Sequence, residues 1–288
     1  MKWAVIFMKG LLMGICDIIP GISGGTVAFV TGIYARLIGA VNAISQLLYG
    51  LLEFAAGKRT AKQLAADFRK SDPAFLVALG AGISVSIFLG SGIISYLLER
   101  HFSYTISFFI GLILASSKLI YDRIENHTPA NGLTGLAGFL IGISFSVLIP
   151  LNVDPSYLYV FFAGFVAVSA MFLPGISGAF ILLILGLYDF MISVLHNILD
   201  NIPYLLSFMA GAALGALSIS KLISYLFRTR RCKTLYFLLG LVVGALSIPV
   251  KRLYVSASWS AGDTGLIALS VLLGISAVIL VNRIEKHK

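Results

Sequence analysis

Two stretches, DIIPGISGGTVAFVTGIY at 17–34 and MFLPGISGAFILLILGLY at 171–188, place prolines, glycines and serines inside otherwise apolar runs. Counted from Pro20 and Pro174, seven of fifteen positions are identical, and Pro-Gly-Ile-Ser-Gly is shared without a gap. Proline lacks an amide donor and disfavours helical geometry in the residue before it, while the glycines that follow admit backbone angles closed to other residues. Each stretch therefore breaks a helix. Beyond the break the pattern is helical again, so Ser23, Gly24, Gly25 and Thr26 in the first copy, and Ser177 and Gly178 in the second, open helices with N–H groups free to bind. Such ends attract phosphate or carboxylate. With Gly21 and Gly175 they form the candidate anion cradle, and Pro20 and Pro174 are its breaks.

Charged residues within apolar segments sharpen the chemistry. Asp17, three residues before Pro20, is placed either to carry a proton or to orient the loop by accepting its N–H groups. Arg36 is the candidate cation for an anionic headgroup. On a helix continuous from the break it would lie about 18 Å along, half a bilayer away, where snorkelling to the interface is the competing role. Asp189 and Lys221 have no counterparts in the other copy and read as packing or interface residues. Tyr34 and Tyr188 match between copies and either line the cavity or anchor at the interface.

Gly21-Ile22-Ser23-Gly24-Gly25 also fits the Gly-x-Ser-x-Gly pattern of serine hydrolases. That chemistry needs a base within hydrogen-bond reach of the serine. Of the four histidines, His101, His127 and His287 fall in loops or the tail, and only His196 ends an apolar segment. A near-copy at Ser177 has no place in such a mechanism either. The plainer structural role is that of packed hairpins whose serine hydroxyls cap helices.

The elements that must hold these residues are membrane helices. The chain is 59% hydrophobic and 11% charged, its mean hydropathy is +0.99, and apolar runs near the ~20 residues that span a bilayer recur throughout. The first residues resemble a signal peptide, but Lys9 interrupts the apolar run and no small-residue cleavage site follows, so the segment reads as retained. Cys16 and Cys232 provide neither a disulfide framework nor a thiolate metal site. Apolar segments fall at 3–19, 24–50, 73–98, 103–121 and 132–150, then at 157–172, 176–198, 203–227, 233–249 and 264–283. With a cytoplasmic N-terminus, sixteen basic residues lie in inner loops or at the ends, Lys9 among them, against Arg100, Lys251 and Arg252 outside. That bias explains the net charge of +9 without a nucleic-acid partner and places both termini in the cytoplasm.

The second copy extends beyond the motif. ISYLLERHFSYTISFFIGL at 94–112 matches ISYLFRTRRCKTLYFLLGL at 223–241, and Thr-Gly-Leu recurs near the end of each half, at 134 and 264. The expected fold is all-α and polytopic, with two repeats, 1–155 and 156–288, each a broken or re-entrant helical hairpin plus three transmembrane helices. An odd number of crossings inverts the second repeat. Inverted repeats built around broken helices are a recurring plan of secondary transporters, with the substrate near the midplane.

The arrangement Asp-x-Ile-Pro-Gly-Ile-Ser-Gly-Gly-Thr followed by Gly-Ile-Tyr, with a later Leu-Pro-Gly-Ile-Ser-Gly and Gly-Leu-Tyr, resembles the PopT family of prokaryotic membrane proteins over essentially the whole chain. The resemblance implies a non-enzymatic flippase in the cytoplasmic membrane that returns undecaprenyl phosphate, the polyprenyl carrier lipid of cell-wall synthesis, to the inner leaflet. Ala35 departs from the acidic residue the family often carries after the first Gly-Ile-Tyr. No P-loop is present and no cofactor is expected, so movement would follow the lipid gradient or a coupled ion. A secondary transporter of a small soluble anion is the alternative from the same physics, and a scaffolding membrane protein comes from a different class.

Overall fold

The computed structural model describes residues 3–18, 23–122, 124–148 and 153–286. Helices α1 (Trp3–Ile18), α2 (Gly24–Val30), α3 (Tyr34–Ala55) and α4 (Ala61–Lys70) lead into α5 (Pro73–Arg100), α6 (Phe102–Tyr121) and α7 (Pro129–Ser144). Then follow α8 (Tyr157–Met171), α9 (Gly178–Ile184), α10 (Tyr188–His196), α11 (Ile202–Thr229), α12 (Arg231–Ala245), α13 (Ser247–Ser256) and α14 (Ala261–Lys286). Among the described residues six helices are long and apolar enough to cross a membrane, or eight if each bent pair is one span. The protein is a polytopic all-α membrane protein.

Two expected segments are interrupted at a glycine. The stretch 24–50 breaks after α2, and 176–198 breaks after α9. Both breaks have one cause. Gly32 (φ +74°) and Gly186 (φ +68°) turn left-handed, a conformation that costs glycine no steric strain. Gly32 N–H then donates to Phe29 O and Ile33 N–H to Ala28 O, while Gly186 N–H donates to Leu183 O and Leu187 N–H to Leu182 O. This is the Schellman ending, with glycine in the left-handed position and an apolar residue after it. The second bend is 115°, so α10 doubles back from α9 as in a re-entrant hairpin.

Small residues let the long helices approach to backbone contact. Helix α1 lies along α5, and α8 along α11. A Cβ added at Gly10 would collide with Leu79 O and one at Gly82 with Phe7 O; the matching collisions are Gly164 with Phe208 O and Gly211 with Phe161 O. The remaining long helices pair across the halves, α6 with α14 and α7 with α12. Gly111 meets Val271 O and Gly274 meets Phe108 O, just as Gly240 meets Gly135 O and Gly138 meets Phe237 O. These contacts match Gly135 with Val271 and Gly138 with Gly274, six residues beyond the register of the two Thr-Gly-Leu triplets. Close backbone packing replaces the hydrophobic drive that lipid removes.

Candidate functional site

The site is built where α1, α2 and the segment before α9 meet. Residues Pro20 and Gly21 lie outside the described residues. Ser23 is the extended N-cap of α2, its hydroxyl accepting from Gly25 N–H at 3.2 Å. Asp17 remains accessible at the end of α1, yet its Oδ1 accepts from Gly24 N–H at 2.7 Å. Of the two roles open to Asp17, orienting the loop thus has a direct geometric counterpart. A carboxylate already occupies the place an incoming anion would take.

The same helix α1 holds the other end of α2. Lys9, eight residues before Asp17, donates from Nζ to Thr31 O at 2.7 Å. Eight residues of α1 rise about 12 Å and the seven of α2 about 10 Å, so the two charges of α1 match the two ends of α2. The carboxylate accepts at the N–H end of α2 and the ammonium donates at its carbonyl end, the signs that helix termini favour. Lys9 is only 8% exposed, so its ammonium is engaged within the fold. Sequence reasoning missed this pairing because it lacked the break at Gly32 that creates the Thr31 terminus.

The two breaks are in contact. Gly175 N–H donates to Thr26 Oγ1 at 2.7 Å, and Tyr34 OH donates to Phe172 O at 2.7 Å. A Cβ on Gly25 would stand 2.8 Å from Met171 O. Thr26 is 2% exposed and Pro174 is buried, so the junction is dry. Thr26→Val keeps the shape but strands the Gly175 N–H, and we expect it to cost about 1–3 kcal/mol, read as a lowered melting temperature of the purified protein. An unchanged melting temperature would show that the two breaks are not bonded.

The two motif ends are unequal. The α2 end is closed by Asp17 and Ser23, whereas Ser177 makes no side-chain capping bond at α9. Gly178 lies against Ala167 O of α8, 3.1 Å from an added Cβ. A cavity of about 480 Å³ is bounded by Phe180 of α9 and by Lys251 and Arg252 of α13. The matched tyrosines also diverge: Tyr34 is buried in packing and Tyr188 is 39% exposed.

Arg36 does not sit on the same helix as the cradle. It lies beyond the Gly32 break in α3, where its Nε meets Asp72 Oδ2 at 2.6 Å and its guanidinium rests 4.3 Å from the centre of the Phe75 ring. The estimate of its position along one continuous helix is overturned by that break. Nor is Ser23 arranged as a nucleophile. It is 2% exposed and engaged with Gly25, while His127 pairs with Tyr236 and His101 stacks on Tyr104.

The family described as undecaprenyl phosphate translocase-like matches residues 13–264. A polyprenyl-phosphate transporter of Vibrio cholerae is 39% identical over 246 residues, covering 85% of this chain and 77% of that protein. A polyprenyl-phosphate transporter of Staphylococcus aureus is 29% identical over 264 residues, covering 85% of each chain. No solved structure matches. With both motif stretches and nearly all the membrane helices inside the matched region, the chain belongs to the undecaprenyl phosphate translocase-like family.

Proposed function

We propose that this protein is a non-enzymatic carrier that moves undecaprenyl phosphate across the cytoplasmic membrane, by exchange of the lipid phosphate for Asp17 at the joined helix breaks. The observation that carries the reading is the Asp17–Gly24 bond beside the Thr26–Gly175 junction, in a chain of a translocase-like family. The headgroup is held by Ser23, Gly24, Gly25 and Thr26 from one side and by Gly175, Ser177 and Gly178 from the other. Gly21 and Pro20, outside the described residues, are assigned to the same cradle by their place in the motif. Arg36, tied to Asp72, acts at the approach rather than at the cradle itself. The isoprenoid chain stays in lipid, so only the polar end has to cross. With two half-helices of seven residues each, attraction comes from individual N–H groups more than from a long helix dipole.

An arriving phosphate repels an ionised Asp17, so entry of the lipid favours uptake of a proton, and a protonated carboxyl releases Gly24 N–H more readily. In reconstituted vesicles leaflet exchange of undecaprenyl phosphate is expected to depend on the protein and to vary with pH, and Asp17→Asn to exchange without that variation. Folded wild-type protein that leaves exchange at the lipid-only rate would end the transport reading; a retained pH response in Asp17→Asn would remove only the proton.

The proposed architecture is two inverted halves, 1–155 and 156–288, supported by the recurrence of the glycine contacts at matched positions. Residues 58–70, residues 228–233 and both termini face the cytoplasm. Single cysteines in those loops of a cysteine-free protein should resist an impermeant maleimide in intact cells, and modification of a residue in 58–70 would contradict this orientation.

A further inference from the structure

A cavity of about 500 Å³, separate from the residues assigned to the cradle, lies between α1, α5, α6 and α14. Its walls are apolar over most of their area, with Leu12, Leu97, Phe108, Leu112 and Ala277 contributing, and Leu12 is 40% exposed, so the cavity reaches the flank of the protein that faces acyl chains. That size suits a ligand, since pockets for small molecules run from roughly 300 to 1,000 Å³. Beside Thr31 and Thr105, whose hydroxyls donate to Val27 O and His101 O, two further polar groups stand in the apolar wall. One is Lys9, whose Nζ donates a hydrogen bond to Thr31 O and which belongs to the lining.

The other is Ser116. It is 2% exposed, and its Oγ has no hydrogen-bond partner among the described residues. A serine inside a helix ordinarily returns its hydroxyl to a carbonyl one turn back, as Ser107 does to Ser103 O on this same helix. Buried hydroxyls without partners are rare and call for a ligand or a solvent molecule. An ammonium and an unanswered hydroxyl in a greasy slot are complementary to one chemistry, an anionic oxygen cluster on a long hydrocarbon.

We propose that the cavity between α1, α5, α6 and α14 is a second station for polyprenyl phosphate, with the phosphate at Lys9 and Ser116 and the first isoprene units against Leu97, Phe108, Leu112 and Ala277. The inference rests on the transport reading and adds a site to it. Because Lys9 also holds the Thr31 end of α2, a phosphate that draws on its ammonium loosens the half-helix whose other end carries the cradle. Occupancy of the station is thereby linked to the break it serves.

Binding to the purified full-length chain tests this, measured by native mass spectrometry with undecaprenyl phosphate, undecaprenol and inorganic phosphate as probes. Wild type should prefer the lipid phosphate to the alcohol, and inorganic phosphate should not displace it. Lys9→Gln keeps a donor for Thr31 O and removes the charge; it should weaken binding of the phosphate about tenfold or more while leaving the alcohol unchanged. Ser116→Ala should weaken the phosphate alone by several-fold, and Ala277→Trp, which fills the slot from α14, should weaken both lipids. Folded Lys9→Gln with wild-type preference, or Ala277→Trp that binds both lipids normally, overturns the assignment. Displacement of the lipid by inorganic phosphate also overturns it, in favour of a soluble anion. If wild type exchanges lipid between leaflets but all three variants bind normally, the station alone falls; if wild type neither binds nor exchanges it, the transport reading falls first.

Discussion

Replacing Gly24 with valine is expected to abolish leaflet exchange of undecaprenyl phosphate. A Cβ at Gly24 would lie 2.5 Å from Asp17 Oδ2 and 2.8 Å from Oδ1. The carboxylate must leave, and with it goes the acceptor for Gly24 N–H. Overpacking and the stranded amide together cost about 2–6 kcal/mol at this one turn, enough to move the break out of register. Asp17→Asn supplies the contrast, because an amide oxygen still accepts from Gly24 and the loop keeps its shape. Gly39→Ala is the control: nothing lies within 4 Å of its added methyl and α3 is helical there, so exchange should be unchanged. Exchange by Gly24→Val at the wild-type rate would show that the turn at Asp17 plays no part in transport.

The second large effect falls far from the cradle. Gly240→Val should prevent accumulation of folded protein, because its side chain would enter the carbonyl of Gly135 on α7. Overpacked cores usually lose about 1–3 kcal/mol by shifting side chains, but here the obstacle is backbone and two whole helices must part, so a larger loss follows. Gly111→Val, aimed at Val271 O from the corresponding helix of the first half, should behave alike. Size-exclusion profiles of the solubilised protein and its melting temperature measure both. Gly265→Ala, with open space around its Cβ, should be harmless. A monodisperse, normally melting Gly240→Val would mean that α7 and α12 are not in backbone contact.

The membrane class and the positions of the long helices were legible because hydrophobic runs of bilayer length dominate the composition. The motif breaks were legible too, since proline and glycine act through the local backbone. The second break of each hairpin was legible in principle: Thr31-Gly32-Ile33 and Leu185-Gly186-Leu187 carry the glycine-then-apolar signature of a helix C-terminus. A hydropathy reading passes over three residues whose average is still apolar, so 24–50 looked continuous. Pairings were beyond reach. Nothing local in Thr26 points to an amide 149 residues away, and nothing in Lys9 distinguishes a basic tail from a ligand for the end of α2. The register of α7 on α12 was hidden for a related reason: glycines fix it by what they touch, whereas Thr-Gly-Leu marks only where each final helix begins.

The cross-pairing of α6 with α14 and of α7 with α12 bears on how such a chain could have arisen. A protein made of the first seven helices alone would leave uncovered, along α6 and α7, the glycine grooves that α14 and α12 cover in the whole chain. Only a second molecule of itself, inserted the other way up, would present matching ridges to both grooves at once. Gene duplication with fusion then turns that intermolecular dimer into one chain and frees each copy to diverge. The two breaks differ in this chain: one end carries a carboxylate stopper in Asp17 and the other an uncapped serine in Ser177. An antiparallel dimer of identical chains is bound to treat both faces of the membrane alike, whereas a single chain with two unequal breaks is not.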